Sequence, residues 1–144
     1  MNQQLNINLR LQAMEKIFTP RSVAFIGASN NTTKWGGIVF SNILKGGFKG
    51  TVYPVNPKES TIQGHEAYRS VLDIPHDIDL AILVVPASAI PDTVSECVQK
   101  GINAGIVITA GFAELGEEGR ELQVEMLRRA RNGGMILVGP NGMG

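Results

Sequence analysis

The chain has few features of a secreted, membrane-bound or nucleic-acid-binding protein. It contains one cysteine, Cys97, which excludes an intramolecular disulfide and favours a reducing compartment. No apolar run approaches the ~20 residues of a membrane helix, and no basic segment followed by an apolar run opens the chain. Thirteen basic and thirteen acidic residues cancel, so no net charge attracts nucleic acid or an anionic membrane. We expect a cytoplasmic protein that binds neither.

What the chain does have is a regular alternation of short apolar runs and helical patterns. Continuous runs of this kind are typical of strands covered on both faces, as in a parallel sheet. Helical stripes lie between most of them, with Ser88 as a predicted N-cap, and Ser70–Asp73 is expected to form one helical turn. The pattern predicts a doubly wound, Rossmann-like α/β fold with a mostly parallel five-stranded sheet and helices on both faces. The predicted strands are 22–27, 51–55, 80–85, 105–109 and 135–138.

The expected organisation is an N-terminal helical extension, residues 1–19, followed by one binding domain, residues 20–144. The extension contains a predicted helix at Leu5–Phe18 that packs on the outside. The last predicted strand is followed by Gly139–Gly144, without a helix to cover the sheet. We therefore expect a fragment of a longer multidomain chain.

The end of the first predicted strand is the strongest candidate for a binding site. Gly27, Ala28, Ser29 and Asn30 follow the strand directly and precede a helix. Backbone N–H groups and the helix dipole favour a phosphate at such a junction. The dinucleotide fingerprint Gly-x-Gly-x-x-Gly would require glycine where Ser29 and Thr32 stand. The turn therefore predicts a nucleotide-type ligand, but not a standard NAD site.

The second predicted strand ends in Asn56-Pro57-Lys58, where an NAD site would have an acidic residue for the ribose hydroxyls. A lysine suits a phosphate instead, so NADP and coenzyme A both remain open; a solvated surface lysine is the alternative. Lys34 is either a second cation for a diphosphate or simply exposed. Trp35 either stacks on a base or packs against the helix start, and packing is favoured.

The next two strand ends complete a crevice of small side chains on which adenine or a pantetheine-like chain could lie. They carry Val85, Pro86 and Ala87, and then Thr109 and Ala110. His65 and His76 are interpreted as surface residues and Cys97 as part of the core. No metal-ligand spacing and no nucleophile–base set is present, so we predict no catalytic residue.

Five segments together resemble the CoA-binding domain of NDP-forming acyl-CoA synthetases, of the ADP-forming acetate–CoA ligase type, relatives of the succinyl-CoA synthetase α subunit. They occur in that family's order and extend from about Pro20 to the end of the chain. The segments are Ser22-Val-Ala-Phe-Ile-Gly-Ala-Ser29, Val52-Tyr-Pro-Val-Asn-Pro-Lys58, Asp79-Leu-Ala-Ile-Leu-Val-Val-Pro-Ala87, Ile106-Val-Ile-Thr-Ala-Gly-Phe112 and Gly139-Pro-Asn141.

The resemblance implies coenzyme A as the ligand and gives roles to the strand ends. The first turn would hold the CoA phosphates, and Lys58 would meet the ribose phosphate or the diphosphate. The third strand end would line the adenine or pantetheine path, and Ile108, Thr109 and Ala110 would bound the thiol end. Asn141 is the last site residue that the resemblance implies.

In the family, an acid and CoA are joined at the expense of a nucleoside triphosphate, through an acyl phosphate and a phosphohistidine. That histidine lies in the next domain of the family pattern, and neither His65 nor His76 matches it. Gly142 also stands where the family often has Cys, Ser or Thr. We therefore expect this piece to bind CoA or acyl-CoA without turnover. The remaining ligase domains or subunit would be its partners, and ATP, ADP and Mg²⁺ would bind there.

Two alternatives remain open. One is a non-catalytic CoA-binding or regulatory module, either stand-alone or fused to a protein acetyltransferase. The other is an NADP-dependent oxidoreductase domain, which Lys58 permits and Thr32, in place of the third glycine, disfavours.

Overall fold

The computed structural model describes residues 2–109, 112 and 115–140. Its centre is a parallel sheet of five strands. The predicted α/β fold is confirmed, and all five strands begin and end within two residues of their predicted limits, because continuous Val, Ile and Leu runs are buried on both faces. The main-sheet strands are β1 (Ser22–Ile26), β2 (Thr51–Val55), β5 (Leu80–Leu83), β6 (Ala104–Val107) and β7 (Ile136–Val138). Their order across the sheet is β2-β1-β5-β6-β7.

Helices cover both faces of the sheet. They are α1 (Gln3–Phe18), α2 (Trp35–Lys45), α3 (Ile90–Lys100) and α4 (Glu117–Asn132). Alternate residues of each strand point to opposite faces. Ala24 and Ile26 thus join the core cluster under α3 and α4, while Val23 and Phe25 join the cluster that contains Phe40 of α2.

The topology reverses between β1 and β5. From β1 the chain crosses to β2 at one side, then returns past β1 to form β5, β6 and β7 on the other side. In the register of the sheet, Ile26 lies opposite both Val55 and Leu83, so β2, β1 and β5 end at one level. Such a switch point leaves a crevice beyond the carboxyl ends of the strands, which is where ligands bind in open α/β sheets.

The connection from β2 to β5 contains a hairpin that the sequence patterns did not predict. Its strands are β3 (Thr61–Ile62) and β4 (His65–Glu66), joined by Gln63 and Gly64. Both turn residues have positive φ, at 47° and 84°, as a two-residue type I′ turn requires. The expected helical turn follows at Val71–Asp73, with the Ser70 hydroxyl oxygen accepting the Leu72 N–H at 3.1 Å.

The prediction that Ser88 caps α3 is wrong. A short 3₁₀ turn occupies Ala87–Ala89, and α3 begins at Ile90 with Ala89 in the cap position and no side-chain cap. Pro91 in the first helical turn pre-sets the backbone there without costing a hydrogen bond.

The predicted N-terminal helix is present as α1 and lies against β6 and β7. Ala13 is buried, Ile17 packs against the α2-side core, and Lys16 Nζ donates to Asn103 Oδ1 at 3.4 Å. This helix thus covers part of the sheet face that no later element in the described residues covers. None of the described helices combines the length and apolar character needed to cross a bilayer.

Candidate functional site

The turn after β1 brings the backbones of two strand ends into contact at the switch point. Gly27 has a φ of 98°, and its N–H donates to the Val55 carbonyl oxygen at 3.0 Å. A Cβ on Gly27 would overlap the carbonyl oxygen of Val84, just beyond β5. Both the positive φ and this contact require glycine, as the first glycine of a dinucleotide fingerprint does.

The start of α2 supplies a second close approach, through two glycines that the sequence analysis missed. A Cβ on Gly36 would overlap the Gly27 carbonyl oxygen, and one on Gly37 would overlap that of Asn31. Each glycine in a helix lowers the stability of the helix by ~1 kcal/mol relative to alanine. Two adjacent glycines at a helix start therefore indicate, from sequence alone, that close packing requires them. Gly36 therefore provides the tight loop-to-helix packing that the fingerprint assigns to its third glycine.

The N-terminus of α2 is open. Lys34 occupies the cap position with φ −96° and ψ 152°, and no side chain caps the helix. The first N–H groups of a helix lack intrahelical partners and lie at the positive end of its dipole. Together with the loop 27–31 packed against it, this end of α2 is a suitable place for a phosphate.

Asn56 joins the second strand end to the first. Its Nδ2 donates to the Ala28 carbonyl oxygen at 2.9 Å, and its Oδ1 accepts the N–H groups of Lys58 and Glu59 at 2.8 and 2.9 Å. Both the nitrogen and the oxygen of this amide are thereby bonded to backbone groups, so Asn56 positions both loops. Lys58 lies on the resulting turn, exposed, and forms no ion pair within the described residues.

Gln63 in the β3–β4 turn braces the same loop from the other side, and it too was missed. Its Nε2 donates to the carbonyl oxygens of Ser29 and Gly37 at 3.0 and 3.1 Å. Its N–H donates to Asn30 Oδ1 at 2.7 Å, and Asn30 Nδ2 donates to the Thr61 carbonyl oxygen at 2.9 Å. The Asn30 side chain is thus occupied by the hairpin, and its backbone remains the part that can meet a ligand.

The third and fourth strand ends are linked by Thr109. This side chain is 8% exposed, and its Oγ1 donates to the Val85 carbonyl oxygen at 2.8 Å. Ala87 is buried, whereas Pro86 and Ile108 are exposed at the rim. Contacts thus connect all four strand ends along this edge, from Asn56 through the turn after β1 to Val85 and Thr109.

The structure therefore brings most of the predicted site residues to one edge of the sheet, although they differ in how far their side chains are exposed. Lys34, Pro57 and Lys58 are exposed at the rim of that edge. Ala110 and Asn141 lie outside the described residues. The preference for packing at Trp35 is wrong, because its side chain is 67% exposed beside the start of α2.

The other chemically reactive side chains singled out from the sequence are one buried thiol and two exposed imidazoles. Burial raises the pKa of the Cys97 thiol to about 12, as the core assignment predicted. His65 and His76 are both exposed, as predicted; His65 packs edge-on to Phe40 and His76 stacks on Tyr53. Within residues 2–109, 112 and 115–140, no three His, Cys, Asp or Glu side chains are grouped to hold a metal ion.

The fold and this edge define a class: a Rossmann-like domain with a crevice at its topological switch point, which is where folds of this class bind nucleotide-type ligands. Comparison with known families is more specific. Residues 21–144 match the family model described as a CoA binding domain. The chain belongs to that family, and it is homologous to the N-terminal part of the α subunit of ADP-forming acyl-CoA synthetases.

Individual relatives agree with this assignment. The α subunit of acetate–CoA ligase (ADP-forming) II from Pyrococcus furiosus is 47% identical over 131 residues, which is 91% of this chain and 28% of the relative. The apo acetyl-coenzyme A synthetase 1 of Ca. Korarchaeum cryptofilum superposes with a TM-score of 0.83 and 38% identity, over 89% of this chain and 28% of that one. The chain thus spans under a third of these relatives.

A second kind of structural relative has nearly the same size. A hypothetical protein from Pyrococcus horikoshii OT3 aligns with a TM-score of 0.67 and 27% identity, over 92% of this chain and 82% of that one. The same fold is therefore found both within long ligases and in a protein that consists of little else.

Proposed function

We propose that this domain binds coenzyme A along the edge formed by the carboxyl ends of β2, β1, β5 and β6. The observation that carries the proposal is the open N-terminus of α2, packed through Gly36 against the Gly27 turn, in a chain that belongs to the CoA binding domain family. The residues at this edge suit the ligand: glycine backbone for its phosphates, cations at the rim, and small apolar side chains for an uncharged chain.

The parts of the ligand are assigned as follows. The backbone of Gly27, Ala28, Ser29 and Asn30 holds the diphosphate, with Lys34 beside it. Lys58, on the turn fixed by Asn56 and Pro57, meets the phosphate on the ribose or the diphosphate. Val85, Pro86 and Ala87 line the adenine or pantetheine path. Ile108, Thr109 and Ala110, with Asn141, bound the thiol end.

In a longer protein, this domain would present CoA to an acid–CoA ligase that joins an acid to the thiol and converts ATP to ADP and phosphate. The acyl phosphate and phosphohistidine steps, with ATP, ADP and Mg²⁺, belong to other domains or to a second subunit. We expect the isolated domain to bind the thiol substrate without turning it over, since His65 lies on β4 and His76 precedes β5, neither at the carboxyl end of a main-sheet strand.

Calorimetric titration tests the ligand directly. CoA, 3′-dephospho-CoA, NADP and NAD are titrated into the chain under identical conditions. CoA should bind more tightly than dephospho-CoA, and NAD should bind least. Binding of NADP without binding of CoA would refute the proposal and favour an oxidoreductase domain.

Lys58→Ala tests the rim cation. If Lys58 meets the ribose phosphate, the variant should lose about tenfold in CoA affinity, or about 1.4 kcal/mol, with little change for dephospho-CoA. Lys49→Ala is the matched control, because this exposed lysine precedes β2 and lies at the opposite end of the strand. An equal loss for both ligands moves Lys58 to the diphosphate, and no loss for either removes it from the site.

The second candidate is a non-catalytic CoA-binding module, which the relative of similar size favours. The two candidates differ in whether the domain can take part in acyl-CoA formation by a ligase. If adding this chain restores acyl-CoA formation to a ligase lacking its own CoA-binding domain, the ligase function is supported. CoA binding without such complementation supports the module.

A further inference from the structure

Helix α1 carries two apolar stripes on opposite sides. At about 100° per residue, Leu5, Leu9, Ala13 and Ile17 follow one another along one side of the helix. Ala13 is buried and Ile17 half-buried against the sheet, whereas Leu5 and Leu9, nearer the N-terminus, remain 51 and 41% exposed. This inner stripe accounts for the docking of α1.

The second stripe lies on the far side and has no partner among the described residues. It consists of Ile7, Leu11, Met14 and Phe18, whose exposed fractions are 44, 59, 47 and 78%. Their spacing of four, three and four residues is that of a two-helix coiled-coil seam. A helix that needed only to cover the sheet would be polar on this side.

The charged residues beside the outer stripe indicate which partner would pack against it. Arg10 lies on one flank of the seam and Glu15 on the other; both are exposed, and neither takes part in an ion pair within the described part of the chain. In two parallel helices related by a two-fold axis along the seam, each Arg10 faces Glu15 of the second copy. In an antiparallel pair, like charges would lie together instead. The flanking charges therefore complement a second, parallel copy of the same helix.

We propose that the outer stripe of α1 is a parallel, two-fold dimerisation seam between two copies of this chain. The helix is roughly 24 Å long and its contact face about 10 Å wide, so the pair buries only about 500 Å², well below the ~1,200 Å² at which standard specific interfaces begin. The dimer is accordingly weak and depends on concentration. The seam lies on the far side of α1 from the sheet, so dimerisation leaves the docking of α1 unchanged.

Sedimentation of the whole chain from micromolar to millimolar concentration tests the association. The apparent mass should rise toward that of a dimer, and Leu11→Glu should abolish the rise. Val124→Glu is the control, since Val124 is an equally exposed apolar residue, at 61%, on α4. Circular dichroism establishes that both variants fold. A monomer at all concentrations, or an equal effect of both variants, overturns the proposal and leaves the stripe to a different partner, such as another part of a longer chain.

Charge reversal and cross-linking test the parallel arrangement. Arg10→Glu and Glu15→Arg should each weaken the dimer, and the double variant should restore it. Ile7→Cys should form a disulfide across the seam under mild oxidation, because position 7 meets itself only in a parallel pair; the buried Cys97 thiol does not compete. A disulfide that forms only between Ile7→Cys and Phe18→Cys chains would show an antiparallel pair and overturn the arrangement.

Discussion

Replacing Gly27 by alanine perturbs the candidate site at the point where the chain beyond β1 contacts the chain beyond β5. Two separate penalties follow from the structure. The first is conformational, because the φ of 98° is unfavourable for any residue with a Cβ. The second is steric, because the new methyl group would overlap the Val84 carbonyl oxygen, which belongs to the backbone and cannot rotate away.

The two penalties have different sizes and can be separated. A positive φ costs an alanine ~1–2 kcal/mol, and forcing a methyl group into a packed position costs a further ~1–3 kcal/mol. Gly27→Ala should therefore lower the free energy of unfolding by about 2–5 kcal/mol, a large part of the ~5–15 kcal/mol typical of a domain. Gly101→Ala supplies the control: its φ is 94°, and a Cβ there would meet nothing within 4 Å. It should lose the conformational part alone.

Urea denaturation of both variants, followed by circular dichroism, gives the two free energies, and CoA titration gives the functional effect. Gly27→Ala should be the less stable by about 1–3 kcal/mol and should lose at least tenfold in CoA affinity, because the displaced turn no longer presents its N–H groups. Gly101→Ala should bind CoA normally. Equal destabilisation of the two variants would refute the close approach of Gly27 to Val84.

Three further predictions concern other parts of the chain. Gln63→Ala and Gln63→Gly both remove the amide contacts to the binding loop, so both variants should weaken CoA binding to the same extent. The glycine variant should have the higher free energy of unfolding, by ~1 kcal/mol, because glycine tolerates the positive φ at this position. Unequal CoA affinities of the two variants would contradict a role through the side chain. Hydrogen bonds from Arg128 and Arg129 lower the pKa of Glu125 from 4.5 to about 2, so its contribution to stability is complete above pH 4.5 and is lost as the pH falls toward 2. Thermal unfolding of Glu125→Gln should accordingly be less sensitive to pH in that window than wild type, and identical profiles would contradict the pairing. Trp35, the one tryptophan in the chain, should change its fluorescence when CoA binds but not when NAD is added; a constant spectrum at saturating CoA would place the ligand away from the start of α2.

The sheet could be predicted because its signal is local in the sequence. A run such as Val23–Ile26 has no polar face, so only a strand covered on both sides accommodates it. The carboxyl ends of parallel strands then share one edge, which placed Gly27, Asn56, Val85 and Thr109 together without knowledge of any contact.

The internal bracing of the site could not be predicted in the same way, because it depends on contacts between segments that are distant in sequence. Gln63 follows Ser29 by 34 residues, and nothing around it indicates that its amide reaches back to that carbonyl. Ser88 was misplaced because a 3₁₀ turn with buried Ala87 comes first and delays the start of α3 to Ile90, so serine's capping preference has no effect there. The packing role of Gly36 and Gly37 could have been predicted from the sequence, because glycine has a poor helix propensity and two of them stand together at a helix start.

The contact between α1 and β6 and β7, the last two strands of the sheet in chain order, delays the docking of α1 during synthesis. Lys16 and Asn103, which hold the helix beside β6, are 87 residues apart in the chain. At ~5–20 residues per second, the ribosome needs about 4–17 s to make that separation. An isolated helix of this length is only marginally stable in water. Within this domain, α1 is therefore synthesised well before the strands that it docks on, and its apolar residues remain open to other partners until β6 and β7 have formed.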